Sequence, residues 1–189
     1  MKPWLTPPTG FAAALTAQLQ ATVPVLETER LRLRAPRIDE FDAYCTIFHS
    51  ERWPHEGGSD LDAWLDYNQM IASWLLRGIG LFSIEAKADG THLGFAAIDH
   101  EWGDPEVEIG WMLNDHAEGQ GVATEAGQAL LDFARSQGRS SVVSYVDAGH
   151  PRSAAVSTRL GGQRDAAAEA ALSDTAFVFR HELKEQADG

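Results

Sequence analysis

Residues 106–136 run EVEIGWMLNDHAEGQGVATEAGQALLDFARS. They read as a strand, a short polar turn with two glycines, and an amphipathic helix. Val107, Ile109, Trp111 and Leu113 alternate with Glu106, Glu108, Gly110 and Met112, the period of a strand with one apolar face. Small or apolar residues then recur at Ala123, Ala126, Leu130 and Phe133/Ala134, a helical spacing. Residues 141–146, SVVSYV, supply the next strand. A strand–helix–strand crossover of this kind is parallel and right-handed. It places the glycine turn at the carboxyl end of a parallel strand, where such sheets bind ligands. A helix N-terminus presents unpaired backbone N–H groups at the positive end of its dipole, and is an anion site. Gly119 and Gly121 allow a tight turn and close approach of a phosphate.

Two familiar glycine motifs do not fit. The dinucleotide fingerprint requires a small third residue where Thr124 stands. The phosphate-binding loop of nucleotide hydrolases requires Lys-Ser/Thr where Val122-Ala123 stands. An unrelated phosphate-binding enzyme, or a plain tight turn, stays open at this point.

The flanking segments build one domain. Residues 1–24 read as an appendage, with Pro3, Pro7 and Pro8 followed by a short helix over 11–21, capped by Thr9 and packing through Phe11, Leu15 and Leu19. The domain proper spans 25–189. Leu31 and Leu33 alternate with Arg30, Arg32 and Arg34 in a half-buried first strand whose arginine row faces solvent. Asp39 is expected to cap a helix carrying Phe41, Tyr44, Cys45 and Phe48. Ser59 or Asp60 starts a longer helix that Gly78 ends. Residues 81–86 and 92–98 form a hairpin, Pro151 opens a further helix, and 175–180 give a last antiparallel strand.

Composition excludes several classes. The net charge of −13 argues against a basic nucleic-acid surface and favours a cationic substrate at long range. The single cysteine, Cys45, excludes an internal disulfide and a multi-cysteine metal site. Its place on an apolar helix face marks a structural thiol. The seven histidines include no His-x-His or His-x-x-x-His pair, so no metal is expected. Neither a signal peptide nor a membrane span is visible, and a cytoplasmic protein is expected.

Two motifs together carry a resemblance to the GNAT N-acetyltransferases, and within them to the ribosomal-protein N-terminal acetyltransferase branch. One is Glu118-Gly119-Gln120-Gly121-Val122-Ala123-Thr124, similar to the family's acyl-CoA pyrophosphate loop, with Glu118 where Gln or Arg is usual. The other is His150-Pro151-Arg152-Ser153, leading into a helix that ends in Leu160-Gly161. It resembles the family's Asn-x-x-Ser, with His150 in place of Asn. The resemblance covers about residues 27–183. It implies a mixed α/β GNAT fold: a twisted, mostly antiparallel sheet with one parallel crossover pair, flanked by helices. It also implies transfer of an acetyl group from acetyl-CoA to a primary amine, either a protein N-terminus or a small molecule.

By that resemblance the cofactor loop runs from Glu118 to Thr124, His150 and Ser153 touch the pantetheine arm, and Trp53, His55 and Glu56 shape the acceptor pocket. Amine acetylation needs the neutral nucleophile, so a carboxylate base helps. Glu108 sits where many family members place one, and Glu106 shares its strand face. A backbone N–H near Met112 or Leu113 would stabilise charge on the thioester oxygen. Ser153, a bound water or His150 would assist the leaving thiolate. An acyl-CoA-binding sensor without transferase activity is the alternative. The acceptor and the oligomeric state, a homodimer among the options, stay open.

Overall fold

The computed structural model describes residues 2–50, 58–172 and 176–183. Trp53, His55 and Glu56 lie outside the described residues. Among those described, the helices are α1 (Gly10–Gln20), α2 (Phe41–Phe48), α3 (Asp60–Arg77), α4 (Val122–Ser136), α5 (Pro151–Arg159) and α6 (Ala166–Glu169). The strands are β1 (Leu26–Glu27), β2 (Leu31–Arg34), β3 (Gly80–Ala86), β4 (His92–Asp99), β5 (Glu108–Leu113), β6 (Ser141–Val146), β7 (Gln163–Arg164) and β8 (Phe177–Glu182). They form one sheet in the order β1-β2-β3-β4-β5-β6-β8-β7, antiparallel throughout except for β5 and β6. No described helix is long and apolar enough to cross a membrane.

Each face of the sheet buries its own core, as strand alternation dictates. On one face Ile109, Ile98, Phe82 and Leu33 pack against Val122, Ala126 and Leu130 of α4, joined by half-buried Val107, Trp111 and Leu113. On the other, Met112, Phe95 and Leu81 pack against Phe41, Tyr44 and Tyr67 of α2 and α3. Cys45 is buried in this second core, and burial pushes its thiol up, as a structural role requires.

The parallel pair is the feature that opens the molecule. Its register holds only at Glu108 opposite Val143, with the Val143 N–H donating to the Val107 carbonyl at 3.0 Å. Beyond that point β5 and β6 diverge. Backbone groups alternate sides along a strand. Val107 faces β6, and Asn114 donates to Leu93 beside β4. The Trp111 and Leu113 N–H groups therefore face the gap, while that of Met112 faces β4.

Several sequence expectations are corrected. The helix at the N-terminal end forms over Gly10–Gln20, but Thr9 makes no side-chain cap. Phe11 is 83% exposed, and Leu15 and Leu19 are also exposed, so the helix packs through none of them. The first strand is a hairpin of β1 and β2, because residues 28–30 turn to put the Thr28 N–H on the Leu31 carbonyl. Asp39 caps nothing. A 3-10 turn over Ile38–Glu40 precedes α2, and Glu40 accepts from the Arg37 N–H. The arginine row is exposed at Arg30 and Arg32, as expected, but not at Arg34. Arg34 is 12% exposed, paired with Glu40 and Glu85, and Arg30 is bound to α4. Ser59 caps α3 as expected, in a reciprocal box with Asp62, and Gly78 ends it.

Candidate active site

The glycine turn is built as its sequence requires. Gly119 (φ +70°) and Gly121 (φ +80°) both occupy the left-handed region, which a side chain disfavours. Gly121 stands at the N-cap of α4 without a side-chain cap, and the first helical bond runs from Glu125 N–H to the Gly121 carbonyl. The N–H groups of Val122, Ala123 and Thr124 precede that bond, three donors at the positive end of a fifteen-residue helix.

A second layer holds this helix end. The Glu125 carboxylate accepts from Thr28 Oγ1 (2.6 Å), Arg30 N–H (2.9 Å) and Arg30 Nε (2.7 Å). The same guanidinium donates to the Gln120 carbonyl at 3.1 Å. Burial pushes the Glu125 carboxyl up, but the bonds from Thr28 and Arg30 outweigh it and hold the carboxyl below its ordinary range. The β1–β2 turn thereby fixes the glycine loop from behind. Glu118, the departure from the family pattern, is met by Arg152 of α5 at 2.6 Å. Its charge is offset by an arginine 34 residues away.

A cleft of about 1660 Å3 runs along this helix end between α4, β5 and α5. Glu118, Gly119, Gly121, Val122, Ala123 and Thr124 line it, as do Met112, Leu113, His150 and Ser153. Gln120 is absent from the lining: its side-chain amide turns away to the His116 carbonyl. A smaller cavity of about 320 Å3 lies on the opposite face of the sheet, against Glu101, Asp104, Glu108 and Tyr145. Trp111, Met112, His150 and Ser153 border both spaces, so the two meet through the gap between β5 and β6.

The two strand carboxylates have different surroundings. Glu106 lies before β5 and is gripped by Arg180 of β8 at 2.6 and 2.7 Å, which holds its carboxyl below the usual range. An acid so held is a poor base, and its pair is with Arg180 rather than the cavity. Burial pushes the Glu108 carboxyl well above the ordinary range, and Glu101, Asp104 and Asp99 push the same way; a bond from the Tyr145 backbone N–H opposes them. Glu101 is likewise pushed up to about 7 by burial and by Asp66, Asp104 and Asp99.

Glu101, Asp104, Tyr145 and the Thr28–Arg30–Glu125 clamp were not anticipated from sequence. The signal for the first two is the acid-rich connection DHEWGDPEVE over 99–108, five carboxylates within ten residues. The clamp has no local signal, because Arg30 and Glu125 are 95 residues apart. The histidine spacing also did not show that Cys45, His49 and Asp60 converge from α2 and α3, their ligand atoms within 4.8 Å. Lys2 Nζ already sits 3.3 Å from Asp60 there.

The sheet is parted at a single parallel pair, with an uncapped helix N-terminus and a long cleft on one side and a carboxylate-lined cavity on the other. The model of the acetyltransferase (GNAT) domain matches residues 30–163. The chain belongs to that family. It is similar to an acetyltransferase from Agrobacterium tumefaciens at 35% identity, over 85% of this chain and 95% of that one, with a TM-score of 0.79. A GNAT-family acetyltransferase from Bacillus anthracis shares the fold at 16% identity and TM-score 0.66, covering 86% of this chain and all of that one. A ribosomal-protein alpha-N acetyltransferase solved with coenzyme A shares it at 17% identity and TM-score 0.64, over 85% and 98%.

Proposed function

We propose that this protein transfers the acetyl group of acetyl-CoA to a primary amine by direct attack on the thioester. The observation that carries this reading is the meeting of two spaces at the β5–β6 gap. One is long and ends on bare helix N–H groups; the other is small and acidic. A diphosphate suits the first, with the backbone donors of residues 119–124 holding it and the Arg30–Glu125 clamp keeping them in place. The pantetheine arm then lies beside His150 and Ser153. That a ribosomal-protein acetyltransferase of the same fold was solved with coenzyme A supports acyl-CoA as the acyl donor.

Acetyl-CoA supplies an acyl carbon activated by a thiolate leaving group. The chain supplies geometry and proton traffic. The gap-facing N–H groups of Trp111 and Leu113 point at the space a thioester oxygen would occupy, and there they stabilise its developing charge. Glu108, which lines the smaller cavity, takes the proton of the entering ammonium. Burial and the neighbouring acids raise its proton affinity above that of an ordinary carboxylate, in the direction of a stronger base. Ser153, bordering both spaces, is placed to hydrogen-bond the leaving sulfur or a water beside it. Alignment of amine and thioester contributes the rest. A sensor that binds acyl-CoA without turnover would need none of the carboxylates that line the smaller cavity.

Titration calorimetry with acetyl-CoA, CoA and ATP, followed by free-thiol release over an amine panel, tests this. Acetyl-CoA and CoA are expected to bind and ATP to bind far more weakly. Binding without thiol release across the panel would favour the sensor.

A further inference from the structure

Three side chains of different metal-binding chemistry converge where α2 ends and α3 begins. We propose that Cys45, His49 and Asp60 form a zinc site that staples these two helices together. None of the three lines either of the spaces that meet at the β5–β6 gap, so the inference does not rest on the acetyl-transfer reading.

The helices set the donors in place. Cys45 and His49 are four residues apart, and the His49 N–H still closes on the Cys45 carbonyl at 3.1 Å, so both side chains leave one face of the last turn of α2. Asp60 is the first residue of α3, whose start is fixed by the reciprocal cap of Ser59 and Asp62. One Asp60 oxygen, Oδ1, meets both partners: Cys45 Sγ at 3.6 Å and His49 Nε2 at 3.1 Å. The three ligand atoms all lie within 4.8 Å of one another. Tetrahedral zinc, with bonds of about 2.0–2.3 Å, sets neighbouring ligand atoms about 3.4–3.6 Å apart. Small side-chain rotations complete that geometry.

The donor set selects the metal. A thiol, an imidazole and a carboxylate together suit zinc, whereas magnesium and calcium take oxygen ligands. A cation is already drawn to this spot. Lys2 Nζ stands 3.3 Å from the other Asp60 oxygen, Oδ2, and 3.6 Å from Asp42. The ammonium and a metal use different oxygens of Asp60, but their charges repel, and Asp42 remains to hold Lys2. An ordinary surface pair of Lys2 with Asp60 accounts for Oδ2 alone. It leaves unexplained why a buried thiol and an imidazole both meet at Oδ1.

Binding exchanges a proton for the metal. The Cys45 thiol gives its proton to solvent and a sulfur lone pair to Zn2+. His49 contributes the lone pair of Nε2, Asp60 contributes Oδ1, and a water completes four-coordination. The thiolate and the carboxylate then offset the two charges of the ion. His49 and Asp60 flank the connection over residues 50–59, so the metal ties its two ends together. The unfolded chain disperses the three donors, and the folded state alone gains the binding energy.

The test titrates the full-length chain, stripped with a chelator and dialysed, with Zn2+ and with Mg2+ by calorimetry. One zinc per chain is expected, with a Kd of about 10 µM or tighter and a raised Tm, and no comparable binding of magnesium. Cys45→Ser and His49→Gln should each weaken zinc binding by about tenfold or more. His49 is exposed, so its variant keeps the fold, and thermal melting checks both. Lys2→Ala should tighten binding severalfold by removing a neighbouring positive charge. Co2+ should give the near-ultraviolet charge-transfer band of a thiolate ligand, absent from Cys45→Ser. Zinc binding weaker than the expected limit, or kept in full by both folded variants, would overturn the proposal. Cobalt binding without the thiolate band would do the same, as would a Lys2→Ala affinity no tighter than that of wild type.

Discussion

Arg180 holds both carboxylate oxygens of Glu106, at 2.6 and 2.7 Å, while Glu108, two residues along, lies among carboxylates. One acid staples β8 to the entry of β5; the other has no arginine partner among the described residues. The contrast follows the sheet order: Arg180 stands on β8, beyond β6 from β5, and is not among the residues lining the cavity.

Glu106→Gln is therefore expected to cost stability and leave the shape of the pH–rate profile unchanged. The pair is partly exposed, so the loss is about 1 kcal/mol. Because Arg180 lowers the Glu106 pKa, the stabilisation is present above the unfolded carboxylate value of about 4.3 and fades as pH falls through the lower folded value. Denaturant melts of wild type and variant should converge in acid. A pH-independent gap would mean that the ion pair is not its source.

Gly121→Val should raise the acetyl-CoA Kd by about tenfold or more, since a branched side chain blocks backbone approach to the diphosphate. A Cβ there meets only the flexible Arg30 guanidinium, at 3.5 Å, so the fold has room for it. The left-handed backbone still costs about 1–2 kcal/mol. Calorimetry on the folded variant decides the matter, and an unaltered Kd would remove this loop from the site.

The acidic cavity predicts a pH-dependent stability. Glu101 is pushed up to about 7, so the folded protein keeps its proton between about pH 4.3 and 7 while the unfolded chain releases it. Stability from this group is lost as pH rises through that window. Glu101→Gln should thus gain on wild type from pH 5 to pH 8, by about 1 kcal/mol after allowance for its partial exposure, or roughly 2–4 °C in Tm. A Tm difference that stays constant over this range would show an ordinary carboxylate.

The local pattern was enough to read the central crossover. Ile109, Trp111 and Leu113 alternate because one strand face is buried, and the glycines of residues 119–121 are confined to a backbone that they alone adopt readily. Short range fails where partners are distant or local packing is absent. The apolar spacing of Phe11, Leu15 and Leu19 is helical and the helix forms, yet the spacing does not say whether a surface is there to receive it. The two-residue strands β1 and β7 are too short to show any period. Arg30, Arg32 and Arg34 alternate like a solvated row, and only the arrival of Glu125 and Glu40 from elsewhere makes two of them structural.

Glu108→Gln bears most directly on the chemistry. The substitution keeps the shape and a hydrogen-bond acceptor for the Tyr145 N–H but takes no proton at neutral pH. Turnover should fall by about 10²-fold near pH 7, the low end for loss of a general base, with acetyl-CoA affinity nearly intact because the proposed diphosphate site, at the α4 N-terminus, lies across the sheet. The direction of the pKa shift sets the profile. A carboxyl held well above its ordinary value is protonated in mild acid, so wild-type activity should rise with pH as the base ionises. The variant lacks that rise and recovers only as solvent begins to supply neutral amine near the acceptor's own pKa. The ratio of wild-type to variant rates should therefore shrink at high pH. A pH–rate comparison at saturating acetyl-CoA reads this directly. Parallel profiles would sink the base assignment, and with Glu106 held by Arg180, positioning of amine and thioester would be the remaining source of rate.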